Sequence, residues 1–185
     1  WKILGILIAQ TGKHSEALKA SQTATILSPQ DFEAHFNLGV ILKKLGKYNE
    51  AEASYRRTID LKEDHVNAHN NLGALLRELG RLGESESALR KAIIAKADFA
   101  GAINNLGITL QEMGKLDEAE ESLRQAIVLK PEFADAYYNL GITLKKSKRI
   151  DEAEVFYRQA IELNPGYIKA HINLGIALQE MGRLD

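Results

Sequence analysis

Five asparagines, Asn37, Asn71, Asn105, Asn139 and Asn173, stand 34 residues apart along this chain. A carboxamide offers one acceptor and two donors, so it can hold both the C=O and the N–H of a peptide bond. Other spacings point to other chemistry. His65 and His69 are four apart, which suits a metal on a helix, and His35 lies 34 residues before His69. The pattern supplies no acidic third ligand, and no metal site is expected. Carboxylate neighbours such as Glu120-Glu121 sit on a polar surface with nothing to raise a pKa, so acid–base catalysis lacks support. Glu52/Arg56, Glu86/Arg90, Glu120/Arg124 and Glu154/Arg158 repeat at i,i+4. Each pair is worth about 0.2–0.5 kcal/mol and solvates an outer helix face.

Composition removes further classes. With no Cys, the chain has no disulfide, thiolate zinc site, iron–sulfur cluster or cysteine nucleophile. It also lacks a phosphate loop, a serine-nucleophile motif and the aromatic–basic interleaving of nucleic-acid binders. Lys and Arg number 24 against 25 Asp and Glu, a balance that gives no nucleic-acid or anionic-membrane footprint. No catalytic residue, metal ligand or cofactor is assigned. The compartment is not fixed by these residues, and a cytoplasmic setting is the expectation.

The elements that carry the asparagines follow from glycine. Helix-friendly residues dominate, yet there are 14 Gly and only three Pro. Gly5, Gly39, Gly73, Gly107, Gly141 and Gly175 share one column of the 34-residue period. Gly12, Gly46, Gly80, Gly114 and Gly182 share a second, which Lys148 interrupts. Pro29, Pro131 and Pro165 share a third, with Glu63 and Ala97 at the equivalent places. A period of this size marks a solenoid of repeated hairpins.

Within 100–133 a first helix runs from Ala100 to Met113, with Ile103, Leu106, Leu110 and Met113 at helical spacing. Gly114 caps its end in a left-handed conformation. A second helix begins near Asp117 as N-cap and carries Ala119, Leu123, Ala126, Ile127 and Leu129. The first-column glycine lies inside the first helix at a cost of about 1 kcal/mol relative to Ala. Close approach of the paired helix is the expected offset. The apolar faces of one hairpin cannot be buried alone, so neighbours stack.

These columns resemble the tetratricopeptide repeat family over essentially all 185 residues. The pattern reads Leu106-Gly107, Leu110, Gly114, Ala119, Leu123, Ala126, with Pro131 closing the turn, Tyr55 and Tyr157 at the second-helix aromatic position, and Trp1 at the first-helix start. Ser85 replaces the small Ala and Lys148 the capping Gly, and weaker helix ends are expected near 95–101 and 147–149. The resemblance implies an all-α, right-handed superhelical solenoid divided as 1–31 (partial), 32–65, 66–99, 100–133, 134–167 and 168–185 (partial). The chain reads as a piece of a longer array. The apolar run Ile3–Ala9 fits the repeat register rather than a signal peptide, and seven residues are too few to span a bilayer.

In such arrays first helices line the concave groove. On a helical wheel Ala102, Ile103, Leu106, Leu110 and Met113 form the core stripe, while Gly101, Asn104, Ile108 and Glu112 flank Asn105 on its other side. The five asparagines then form a ladder. Together they forgo roughly 3 kcal/mol of helix propensity. Two readings account for this. Each amide ties neighbouring helices together, or the ladder reads the backbone of an extended ligand, since successive rungs about 10 Å apart match roughly three extended residues. Phe36, Tyr138, Lys43, Lys145 and Lys146 would tune selectivity along the same wall. The column Ile6, Val40, Ala74, Ile108, Ile142 and Ile176 adds an apolar floor, part of it buried between helices. It also occupies the position where chaperone adaptors hold a carboxylate with basic residues, so that clamp is absent.

The starts Ala34-His35-Phe36-Asn37-Leu38, Ala68-His69-Asn70-Asn71-Leu72 and Ala136-Tyr137-Tyr138-Asn139-Leu140 are similar to repeats of O-linked N-acetylglucosamine transferases. That resemblance implies contact between the ladder and a substrate polypeptide. The expectation is a non-catalytic module that binds a protein or peptide in its groove. The alternatives are the substrate-recruiting arm of a transferase and end-to-end self-association through uncapped terminal helices.

Overall fold

The structure, a computed structural model, describes residues 14–183. Among them all regular structure is helical: α1 (His14–Leu27), α2 (Phe32–Lys44), α3 (Tyr48–Leu61), α4 (Val66–Glu78), α5 (Leu82–Ala95), α6 (Ala100–Glu112), α7 (Leu116–Leu129), α8 (Ala134–Lys146), α9 (Ile150–Leu163) and α10 (Ile168–Glu180). The readings placed on Trp1, Ile3–Ala9, Gly5, Ile6 and Gly12 lie outside the described residues. None of the described helices is long and apolar enough to cross a membrane. The chain divides into two compact units, Trp1–Lys96 and Ala97–Asp185. The first holds the hairpins α2–α3 and α4–α5, and the second holds α6–α7 and α8–α9 followed by α10.

Each hairpin is closed by one recurring contact. A Cβ built on Gly107 would meet the Leu123 side chain at 2.7 Å and the Ala119 carbonyl at 3.3 Å, and one on Gly141 would meet the Tyr157 ring at 2.6 Å. Gly39 faces Tyr55 and Gly73 faces Leu89 in the same way. The close approach expected at this column is therefore made chiefly by a second-helix side chain entering the space a Cβ would take. Tyr55, Leu89, Leu123 and Tyr157 are all buried. Ala51, Ala119 and Ala153 are fully buried beside them, and so is Ser85, which stands where those repeats have Ala.

Around these contacts two cores form. One joins Leu42, Ala51, Tyr55, Leu72, Leu75, Leu76 and Ala88. The other joins Leu123, Leu140, Leu144, Ala153, Tyr157 and Ala177. Burial of each large side chain contributes about 1.5–3 kcal/mol.

The connections follow local rules. After α6 the Lys115 N–H bonds the Leu110 carbonyl at 2.9 Å and the Gly114 N–H bonds that of Gln111 at 3.1 Å. Those are the two bonds of a Schellman cap, with Gly114 at φ +79°. Asp117 is not the N-cap of the next helix. Lys115 holds that position without a side-chain capping bond to the helix, and α7 has begun by Leu116. The tight cap leaves no room for a later start, and Asp117 falls in the first turn, where its charge meets the positive end of the helix dipole. Leu129, at the last residue of α7, is exposed rather than part of the core stripe.

The interruption of the second glycine column has a structural cost. Lys148 keeps the left-handed backbone of its glycine equivalents, at φ +63°. A residue with a Cβ pays about 1–2 kcal/mol there. Lys148→Gly is expected to stabilise the protein by about 1 kcal/mol, raising the melting temperature by about 2–4 °C. Calorimetric melting of the two proteins checks it, and an unchanged or lowered value would contradict the cap assignment.

Candidate functional site

The ladder residues Asn37, Asn71, Asn105, Asn139 and Asn173 are all half-buried on first helices. In the first unit Asn71 on α4 accepts a bond at its Oδ1 from the Asn70 amide, 3.3 Å away, and hydrogen-bonds the Tyr55 hydroxyl of α3. Burial pushes that hydroxyl up to about 12, with the Asn71 bond opposing the shift, so it stays neutral. In the second unit the Asn139 amide on α8 donates to Asn104 Oδ1 on α6 at 3.0 Å. The Asn173 amide on α10 donates to the Tyr138 hydroxyl on α8 at 3.2 Å. Tyr157, the equivalent of Tyr55, has a buried hydroxyl without a partner among the described residues. These amides thus tie one helix to the next.

The rings assigned to the same wall brace it. Phe36 tilts against Tyr55 at 6.1 Å between centroids and against His65 at 4.9 Å. Tyr138 repeats the arrangement with Tyr157 at 6.1 Å and Tyr167 at 4.9 Å. Each joins its own second helix to the loop residue preceding the next first helix. Lys43 pairs with Glu78 and Lys145 with Glu180, both at 2.8 Å and both reaching the following first helix. Lys146 is exposed. Val40 and Ile142 are half-buried against the two cores, Ala74 and Ile108 are half-buried, and Ile176 is exposed.

A polar seam between α6 and α8 escaped the wheel. Gln111, buried, donates to Thr143 Oγ1 at 2.8 Å and to the Asn139 carbonyl at 3.3 Å. Asn104, placed on the groove stripe by sequence, is buried as part of this seam. The available signal was the polar letters Thr109 and Thr143 in a column otherwise held by Ile41, Leu75 and Ala177.

The histidines have structural partners. His65 N-caps α4, its Nδ1 accepting the Ala68 N–H at 3.0 Å, and burial lowers its pKa. The Nε2 atoms of His35, His69 and His171 bond backbone carbonyls six residues earlier, at Pro29, Glu63 and Pro165, over 3.1, 2.8 and 2.9 Å. Among the described residues no group of three His, Asp or Glu could hold a metal ion.

On the second helices all four i,i+4 pairs form, at 2.8–2.9 Å. Arginines of the next repeat also reach these glutamates: Arg81 to Glu52 at 2.7 Å, Arg149 to Glu120 at 2.6 Å and Arg183 to Glu154 at 3.1 Å. Burial alone would raise the Glu52 and Glu120 carboxyls, but hydrogen bonds from their two arginines outweigh it and hold both below the ordinary value. These bridges span 29 residues, so no reading of a single helix contains them.

Comparison with known proteins agrees with the fold. Sequence profiles described as tetratricopeptide repeat match residues 32–65, 134–167, 67–95 and 156–185, and one described as TPR repeat matches 7–46 and 109–148. No curated protein sequence matches the chain. Among solved structures, MamA is 25% identical with a TM-score of 0.78 over 89% of this chain and 96% of that one. PilW, a type IV pilus biogenesis factor, is 20% identical with a TM-score of 0.91 over 98% and 84%. YrrB, a TPR protein with an unusual peptide-binding site, is 22% identical with a TM-score of 0.72 over 90% and 86%.

The paired carboxyls make stability pH-dependent. A carboxyl with a lower pKa folded than unfolded contributes stability above its unfolded value, here 4.5, and that stability is lost as pH falls through the folded value. His65 acts in the same direction, beginning nearer its unfolded 6.5. Melting temperature is therefore expected to decline shallowly below about pH 6.5 and steeply below about pH 4.5. Glu52→Gln with Glu120→Gln should lower the neutral plateau and flatten the steep limb. Superimposable acid limbs would remove these pairs from the account.

Proposed function

Because the chain belongs to the tetratricopeptide repeat family, we propose that it is a non-catalytic interaction module that holds a polypeptide segment against its first helices. The observation that carries this reading is the recurrence of a half-exposed carboxamide at one position of every described first helix. The Asn139 bond to Asn104 and the Asn173 bond to Tyr138 each engage one N–H of an amide that has two. Structural ties and backbone reading are compatible uses of the same group. Beside the ladder, the half-buried Ile/Val column offers apolar surface to alternate side chains of an extended ligand. YrrB supports the reading as a protein of the same fold with a peptide-binding site. The transferase-arm alternative rests on the resemblance of the Ala-His/Tyr-x-Asn-Leu starts alone.

Replacing Asn71, Asn105 and Asn139 together by Ala separates the two uses. Loss of Asn139 leaves the buried Asn104 amide without its partner, a cost of about 1–3 kcal/mol that melting will read. Binding to an array of unrelated unstructured peptides should weaken at least tenfold. Lowered melting with unchanged peptide capture would leave the ladder purely structural.

Homotypic assembly is a second reading, favoured by Ile168, Ile172 and Ile176, an exposed i,i+4,i+8 stripe on α10. Sedimentation across a concentration series should show association that Ile172→Glu abolishes. A particle that stays monomeric at high concentration removes this reading.

A further inference from the structure

Positions 68 residues apart are equivalent places two repeats along the chain. In the second unit Phe156 of α9 lies beside Tyr137 of α8, 6.3 Å between centroids and 32° between planes. The Arg124 guanidinium of α7 covers its ring at 5.4 Å. The ring packs on a core that includes Leu140 and Leu144, against which Ile127 also packs. The equivalents in the first unit are Ala88, His69 and Arg56, above Leu72, Leu76 and Ile59. The apolar floor is thus the same, residue for residue, but a methyl group stands where the phenyl ring stands in the other unit. At that place a cleft of about 390 Å³ opens, and all six of these residues line it.

We propose that this cleft on the second-helix face binds an uncharged aromatic side chain of a partner polypeptide, in the place that Phe156 fills for itself in the second unit. The surrounding groups suit a ring. Arg56 is held by Glu52 at 2.8 Å and Glu84 at 3.2 Å, so its guanidinium is oriented before any ligand arrives. A fixed guanidinium over a ring face is a cation–π contact, and Arg124 makes it on Phe156. His69, tied through Nε2 to the Glu63 carbonyl, holds the place of Tyr137. The rim balances Arg56 and Lys91 against Asp60 and Glu84, which selects a neutral group over an anion or a cation. A second cleft of about 280 Å³ shares His69 and Lys91 and runs on toward Ile94, giving the ligand's next residue a place to lie. This site lies on a different helix face from the asparagine ladder and does not depend on it.

The test titrates the full 185-residue chain with N-acetyl-L-phenylalaninamide and, in parallel, N-acetyl-L-leucinamide, following methyl resonances of Ala88, Leu72 and Leu76. Saturable shifts at these methyls are expected, with at least fivefold tighter binding of the aromatic probe. Ala88→Phe should weaken binding more than tenfold without lowering the melting temperature, because the new ring occupies the cleft. Phe156→Ala should add a second, equivalent site. Absence of saturable shifts, equal affinity for the two probes, or full binding by a folded Ala88→Phe protein would each overturn the proposal. The comparison of the two probes on the parent chain decides it even where a variant does not fold. The asparagine triple replacement should leave this binding unchanged, so the two sites can fail separately.

Discussion

The contact between a first-helix glycine and the large side chain sixteen residues later sets the spacing on which each of the hairpins α2–α3, α4–α5, α6–α7 and α8–α9 depends. Gly39, Gly73, Gly107 and Gly141 each cost their helix about 1 kcal/mol in propensity. Tyr55, Leu89, Leu123 and Tyr157 offset it by burying a whole side chain in the space a Cβ would occupy. With two helices held that near, the connection must reverse within three residues, which the left-handed cap residue at Gly46, Gly80, Gly114 or Lys148 makes possible. The faces that the hairpin leaves uncovered then have to be buried on the next hairpin, and the repeat propagates.

Polar groups set how one repeat meets another. Apolar packing tolerates small slips, whereas a carboxamide, a lysine–glutamate pair or a forked arginine has one good position. Asn139 on Asn104, Lys43 on Glu78, Lys145 on Glu180, and Arg81 and Arg149 on the preceding repeat's glutamates all act between repeats. Exposed pairs contribute little energy individually. Their effect here is on register.

Identity at equivalent positions is what differentiates the units. Phe36 and Tyr138 stack on the following loop, while Asn104 at the equivalent place joins the polar seam with Asn139. Phe156 fills a cleft that Ala88 leaves open. A repeat scaffold keeps its backbone through such exchanges because the glycine contact and the apolar floor are untouched. Differences in surface therefore arise at columns that vary, over a framework built from columns that do not.

Much of this was legible in the letters. The 34-residue period, the two helices per repeat, both glycine roles, the weak end at Lys148 and the i,i+4 ion pairs are either local backbone properties or follow from repetition, and a linear sequence carries both kinds of information. What only the tertiary structure decided concerns partners in other elements. The start of α7 at Leu116, the exposure of Leu129, the burial of Asn104 with Gln111 and Thr143, the bracing of Phe36 and Tyr138, and the arginine bridges between repeats all depend on the distance and rotation between two helices. A helical wheel describes one helix about its own axis. The energy of a buried carboxamide or a shared carboxylate is set by what stands on the next one.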